Sequence, residues 1–313
     1  MKTTLKDIVI TGVGIHSGMP VRMAIKRSDR PGIFFRRADL PGAAPIHARW
    51  DNVTATGLWS TSVGRAPNIV HTTEHLMAAL FVCGIDSAVI EIDGSEVPIM
   101  DGSAKEFIEL IGNAWGARPQ SSLKKIIVKK PVVAFRSEII KKMSVFSRFA
   151  LWLHNLKTGR REDGFVRLAP NPDGLLIRAT LVYPDKIIGT QSAEILFDGT
   201  DESREKFLTE FAATRTFGRI WEWGHMKKRG MGRGANEHNV IALNQDSSGT
   251  LNKLQCPDEF VRHKIIDAAG DMFASGGWVF GTLESYKGSH ALNNLVLKKL
   301  FAHPDNYDII EGI

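Results

Sequence analysis

Within HTTEHLMAAL (71–80), His71, Glu74 and His75 stand just ahead of an apolar run. They spell H-x-x-E-H, the spacing with which one class of zinc peptidase sets two imidazole ligands and a general base on a single helix. A second group lies near the C-terminus in FVRHKIIDAAGDMF (260–273), where His263, Asp267 and Asp271 recur every four residues. On a helix this spacing lines all three side chains along one stripe, with His263 and Asp267 one turn apart. Ile265, Ile266, Ala269 and Met272 fall on the other faces. A stripe of one histidine and two aspartates needs partners for its charges: a metal ion, or solvent on an exposed face. His290 follows a Gly-Ser stretch and opens an apparent helix. That place suits a structural histidine or one that faces a cleft.

A catalytic zinc takes three protein ligands and a water, with His and Asp among its preferred donors. His75 from the first half, with His263 and Asp267 from the second, supplies three. Glu74 adjoins a ligand and is placed to act as general base on the water. His290 can serve as the general acid, oriented by Asp271. Lys264 adjoins the ligand His263. A base, a metal and an acid are the parts that hydrolyse an amide. The same donor set accepts iron(II) as well as zinc. The peptidase reading would use His71 and His75 together and leave His263, Asp267 and His290 without a role.

These residues need elements to hold them. The first third alternates short β-like runs with turns: KDIVITGVGIHSG, VRMAIKRS and PGIFFRRA. A helix is expected from about Thr73 to Val82, stopped by Gly84, then a β-branched strand, SAVIEIDG. Ser103 and Glu106 have the spacing of a capping box that opens a further helix. ARPQSSLKK (117–125) reads as a linker, and a second series starts at KKIIVKKPVVAF. The expected organisation is therefore two α+β domains, 1–120 and 126–313. Residues 136–163 interleave apolar with basic side chains. They form either an amphipathic element for an acidic lipid surface or an ordinary hairpin or helix with Lys and Arg outside.

The bulk composition narrows the function classes. The chain has 313 residues, 43% hydrophobic and 24% charged, with a net charge of +6. That is globular, and the mild positive excess suits an anionic ligand. No interleaved basic and aromatic motif points to nucleic acid. No segment reaches the roughly 18 apolar residues of a membrane span. The N-terminus has no apolar signal core and reads as a first strand. Cys83 and Cys256 follow no metal-binding or redox spacing, which fits a reducing, cytoplasmic setting.

Six blocks in order carry a resemblance: GVGIHSG (12–18), HTTEHLMAAL (71–80), EVPIMDGSA (96–104), ATRTFG (213–218), FVRHKIIDAAGD (260–271) and HALNN (290–294). Together they resemble the UDP-3-O-acyl-N-acetylglucosamine deacetylase (LpxC) family, zinc amidases of lipid A biosynthesis. The resemblance implies two α+β domains of similar topology, each a sheet packed on helices, with the active site between them. It implies His75, His263 and Asp267 as zinc ligands and Glu74 as general base. His290 is implied as a protonated histidine at the oxyanion and leaving amine, held by Asp271. Thr216 joins the oxyanion site, Lys264 sits next to the metal, Phe217 lies beside the substrate, and Lys287 lies near the nucleotide diphosphate. The implied substrate is a UDP-linked acylated amino sugar met at the inner face of a membrane. An insert after RTFG, with Trp221, Trp223 and Met226, can line an acyl passage. One strand departs from the family: in RATLVYPDKIIGTQ (178–191), Thr180 and Leu181 stand where an acidic-aromatic pair is expected. That departure leaves open a diverged zinc amidase acting on another amide-bearing sugar or glycolipid. A non-catalytic binding protein on the same scaffold is a further alternative.

Overall fold

The structure is a computed structural model that describes residues 6–54, 59–116, 124–145, 148 and 164–311. The N-terminal half runs β1 (Ile8–Val13), β2 (Pro20–Arg27), β3 (Gly32–Arg37) and β4 (Ile46–His47). The short strands β5 (Val53–Thr54), β6 (Ser62–Arg65) and β7 (Asn68–Val70) then form a sheet of their own. Helix α1 (Glu74–Val82), β8 (Ser87–Ile92) and α2 (Lys105–Trp115) complete the half.

The C-terminal half begins with β9 (Lys125–Val128), β10 (Val132–Phe135), α3 (Arg136–Lys141), β11 (Phe165–Pro170), β12 (Leu175–Val182) and β13 (Thr190–Phe197). Helix α4 (Asp201–Glu210) leads to an excursion of β14 (Phe217–Arg219), α5 (Ile220–Lys228) and β15 (Ile241–Leu243). The chain closes with α6 (Glu259–Phe273), β16 (Trp278–Tyr286), α7 (His290–Phe301) and β17 (Tyr307–Ile310).

The two main sheets share one plan. The first has the order β1-β2-β8-β3-β4 and the second β10-β11-β16-β12-β13, with β9 and β17 added beside β16. In each, the late strand pairs antiparallel with the second strand and parallel with the third. Helices α1 and α6 occupy equivalent places just before that late strand, and α2 and α7 just after it. The fold is α+β in both halves, as the sequence led us to expect.

Strand patterning explains the layers. In β12 the residues alternate, with Leu175, Ile177, Ala179 and Leu181 buried on one face, the period-2 signature of a sheet with one face on a core. Helix α1 is buried along its whole length, which a helix apolar all round requires. It ends where Gly84 adopts φ +66°, the left-handed turn that closes helices after the last carbonyls.

One local expectation changes, and the others are narrowed or fall outside the described residues. Ser103 and Glu106 make no capping box: α2 starts at Lys105 behind Ala104. Asp101 takes both the Ser103 N–H and its hydroxyl at 2.9 and 2.7 Å, so a closer acceptor wins. The His263/Asp267/Asp271 stripe is not solvated, because all three side chains are buried. The segment 136–163 starts as α3, with Lys141 and Lys142 exposed; residues 146, 147 and 149–163 lie outside the described ones. The interdomain boundary expected near residue 120 also lies outside them.

The two equivalent helices α1 and α6 pack directly on each other. A Cβ at Gly270 would come within 2.0 Å of the Glu74 carbonyl oxygen and 3.1 Å of the Ala78 nitrogen. Only a glycine permits that approach, because both obstacles are backbone. Gly270→Ala is therefore expected to lower stability by about 2–3 kcal/mol, read as a lower thermal unfolding midpoint, with reduced metal retention as α1 is pushed from α6.

Candidate active site

Helix α1 brings Glu74 and His75, α6 brings His263, Lys264, Asp267 and Asp271, and the first turn of α7 brings His290. Every one but Lys264 is buried, with exposures of 1–6%. His75 Nε2 lies 3.4 Å and His263 Nε2 3.3 Å from Asp267 Oδ1. That oxygen is buried and has no hydrogen-bond partner among the described residues. Two imidazole nitrogens converging on an orphaned carboxylate oxygen form a donor set that fits a divalent metal. The three residues meet within 4.8 Å as a possible metal-holding group.

The surroundings prepare these ligands. His263 Nδ1–H donates to the Thr214 carbonyl at 3.0 Å, which leaves Nε2 as the free lone pair. Burial is the main reason its pKa falls to about 3, so the ring is neutral and able to ligate. Burial opposes charge on Asp267, but Lys264 first and then the histidines outweigh it and hold the carboxyl well below its usual range. Lys264 Nζ donates to Asp267 Oδ2 at 2.6 Å, and although desolvation opposes it, that carboxylate keeps the ammonium above its ordinary pKa.

A second set stands beside the first. His290 Nε2 is 3.9 Å from Glu74 Oε1 and 3.8 Å from Asp267 Oδ2. Its Nδ1–H donates to Asp271 Oδ2 at 2.9 Å. Burial alone would discharge the imidazolium, yet Asp271, Glu74 and Asp267 outweigh it and lift the pKa to about 9. Burial raises the Glu74 carboxyl above its usual range, which strengthens it as a proton acceptor. The site thus pairs a cationic acid with a strengthened base across less than 4 Å.

These groups open on a cleft of about 780 Å³, within the usual range for small-molecule sites. Glu74, His75, Asp267 and His290 line it, with Thr216, Phe217, Lys264 and Lys287. Phe217 packs edge-on to Phe260 and carries Lys264 Nζ 5.4 Å above its ring. Ile15, Ile99, Val240 and Trp223 form an apolar cluster in the same lining. Met226 also lines the cleft, whereas Trp221 does not and lies instead 5.7 Å from the Arg219 guanidinium. From α3 come Arg136, Ile139 and Ile140. Leu181 lines the cleft while Thr180 turns away to Ser192 at 3.0 Å.

His71 stays outside the metal group. It is half-buried, with Nδ1 2.8 Å from Ser62 Oγ, so the H-x-x-E-H peptidase geometry does not form. Sequence reasoning missed Thr61, whose contacts run to Glu74 and Asp271. Asn293, which donates to Asp271 Oδ2 at 2.8 Å, was visible only as a letter in HALNN. His16 and Glu96 were quoted without a role. Glu96 accepts from the His16 and Ser17 N–H groups, both at 2.8 Å, and pins that loop beside the cleft.

Comparison with known proteins agrees with this arrangement. The model of the LpxC family, described as UDP-3-O-acyl N-acetylglycosamine deacetylase, matches residues 1–302. The chain belongs to the LpxC family. A relative from Geotalea uraniireducens (strain Rf4) is 34% identical over 313 residues, 98% of this chain and 91% of its own. One from Pseudomonas entomophila (strain L48) is 36% identical over 314 residues, 98% of this chain and 92% of its own. Both are named UDP-3-O-acyl-N-acetylglucosamine deacetylase. Within an LpxC chain the buried His75/His263/Asp267 cluster is the place where a metal fits. Purified protein is expected to carry about one equivalent of divalent metal, lost on chelation and regained on adding zinc. Asp267→Ala should hold less than roughly a tenth of that by elemental analysis.

Proposed function

We propose that this chain is a zinc-dependent deacetylase that hydrolyses the N-acetyl amide of UDP-3-O-acyl-N-acetylglucosamine in lipid A biosynthesis. The observation that carries the reading is the convergence of a metal-ready triplet, a strengthened carboxylate base and a cationic histidine at one wall of a single cleft. Zinc, held by His75, His263 and Asp267, would supply Lewis acidity to the attacking water and the amide carbonyl; iron(II) fits the same donors.

The remaining chemistry belongs to the side chains. Glu74 accepts a proton as water adds to the amide carbon. His290, already charged, steadies the negative charge that develops on the carbonyl oxygen. It then protonates the amine nitrogen as the C–N bond breaks, which releases acetate. Asp271 holds the imidazolium in register. Thr216 adds a hydroxyl donor at the oxyanion, and Lys264 keeps Asp267 ionised beside it. Phe217 offers an apolar face to the sugar. Lys287, with Arg136 near it, supplies positive charge for the diphosphate, while Trp223, Met226 and their apolar neighbours suit the acyl chain. Residues 1–120 and 126–313 are the two domains of this reading, with the substrate between them. An acylated substrate brings the enzyme to the inner membrane face from the cytoplasm. No described helix is long and apolar enough to cross a membrane.

Leu181 in the cleft lining, where the family resemblance implies an aromatic, favours a second reading: the same amide chemistry on a different sugar or glycolipid. Acetate release from UDP-3-O-acyl-N-acetylglucosamine decides between them. Metal-restored release by the wild type supports the deacetylase; none from folded, zinc-loaded protein moves the substrate elsewhere. In the active case Glu74→Gln and His290→Ala should each lower kcat on the order of 10²–10⁴-fold. Near-normal turnover in both would sink the mechanism.

A pH profile follows from His290. Its proton is present below about 9 and leaves as the pH rises through that value. Turnover is therefore expected to fall on the alkaline side near pH 9, and His290→Ala to lack that limb.

A further inference from the structure

Thr61 touches both proton-handling arms of the site. Its backbone N–H donates to Glu74 Oε2 at 2.9 Å. Its hydroxyl donates to Asp271 Oδ1, a residue 210 positions away. The side chain is buried, at 5% exposure, and its β-branch gives it few rotamers.

The two contacts divide the donors in a useful way. Asp271 receives His290 Nδ1–H and Asn293 Nδ2–H on Oδ2, at 2.9 and 2.8 Å. Among the described residues, the Thr61 hydroxyl is the donor on Oδ1. A carboxyl group turns easily about its last torsion, so two donors on one oxygen leave its plane poorly fixed, and a third on the other oxygen fixes it. The imidazole hung on Oδ2 is fixed with it. On the other arm, holding Glu74 by Oε2 leaves Oε1 as the oxygen nearest His290, at 3.9 Å. Glu74 belongs to α1 and Asp271 to α6, so one residue sets the register between base and acid across the seam of the two halves.

We propose that Thr61 is a positioning residue of the deacetylation, locking Glu74 in the geometry that takes a proton from water and Asp271 in the one that lets His290 deliver its own to the leaving amine. The inference rests on the deacetylase reading. Its test is acetate release by the full-length, metal-loaded protein.

Thr61→Val keeps the shape and the backbone N–H and removes the hydroxyl. It is expected to lower kcat on the order of 10–100-fold, with KM and bound metal unchanged. Thr61→Ser keeps the donor and should restore most of the rate. In an Asp271→Asn background Thr61→Val should add little, because the two changes act on one unit. Wild-type kcat in Thr61→Val overturns the inference. So does a loss that Thr61→Ser shares, a loss that tracks metal content, or full additivity with Asp271→Asn. Wild-type protein that releases no acetate overturns the deacetylase reading and this inference together, before any variant is compared.

Discussion

The backbone crossing of α1 over α6 is the contact on which the rest depends. Gly270 lets the two helices meet with no side chain between them. That approach sets His75 against His263 and Asp267, and sets Glu74 where a histidine from α7 can reach it. A methyl group at the crossing would separate the metal-ready donors contributed from both sides of the molecule. The metal-ready triplet is therefore a product of packing as much as of its own donor atoms.

The crossing also concentrates charge where water is scarce. Asp267, Asp271, Glu74, Lys264 and His290 are crowded together, and an isolated ion there would be costly. The structure balances them by contact: Lys264 on Asp267, His290 between Asp271 and Glu74, Asn293 and Thr61 on Asp271. Among the described residues of this group, Asp267 Oδ1 and Asn293 Oδ1 are left over, and the first is the one that faces the two imidazoles. Burial raises the Glu74 carboxyl, whereas at Asp267, Lys264 and His290 the neighbouring charges outweigh burial and hold the ionised form.

Much of this was legible in the sequence. The α+β pattern, the helix stopped by Gly84 and the spacing of His263, Asp267 and Asp271 all followed from local periodicity. The pairing of His75 with that distant stripe followed from counting donors. What local patterns hid was long-range. Burial of the stripe could not be read, because the same letters describe a solvated face. The repeated sheet order left no repeat in the letters, since a strand's place depends on its partners. Thr61 carried no spacing signal at all, its two contacts being set by folding. The capping box failed because Asp101, two residues before Ser103, was the nearer acceptor.

The shared plan of the two halves bears on how such a molecule can change. Each half interrupts it at the same point, between the fourth sheet strand and the seam helix. In the first half the interruption is the small β5–β7 sheet, and in the second it is the β14–α5–β15 excursion, which lines the cleft. Variation in ligand preference can thus accumulate in these excursions while the helices that carry the chemistry stay clamped by their mutual packing. The molecule keeps its metal-ready donors on clamped helices and shapes its mouth largely with the two inserted stretches, which also lend Thr61 and Thr216 to the site.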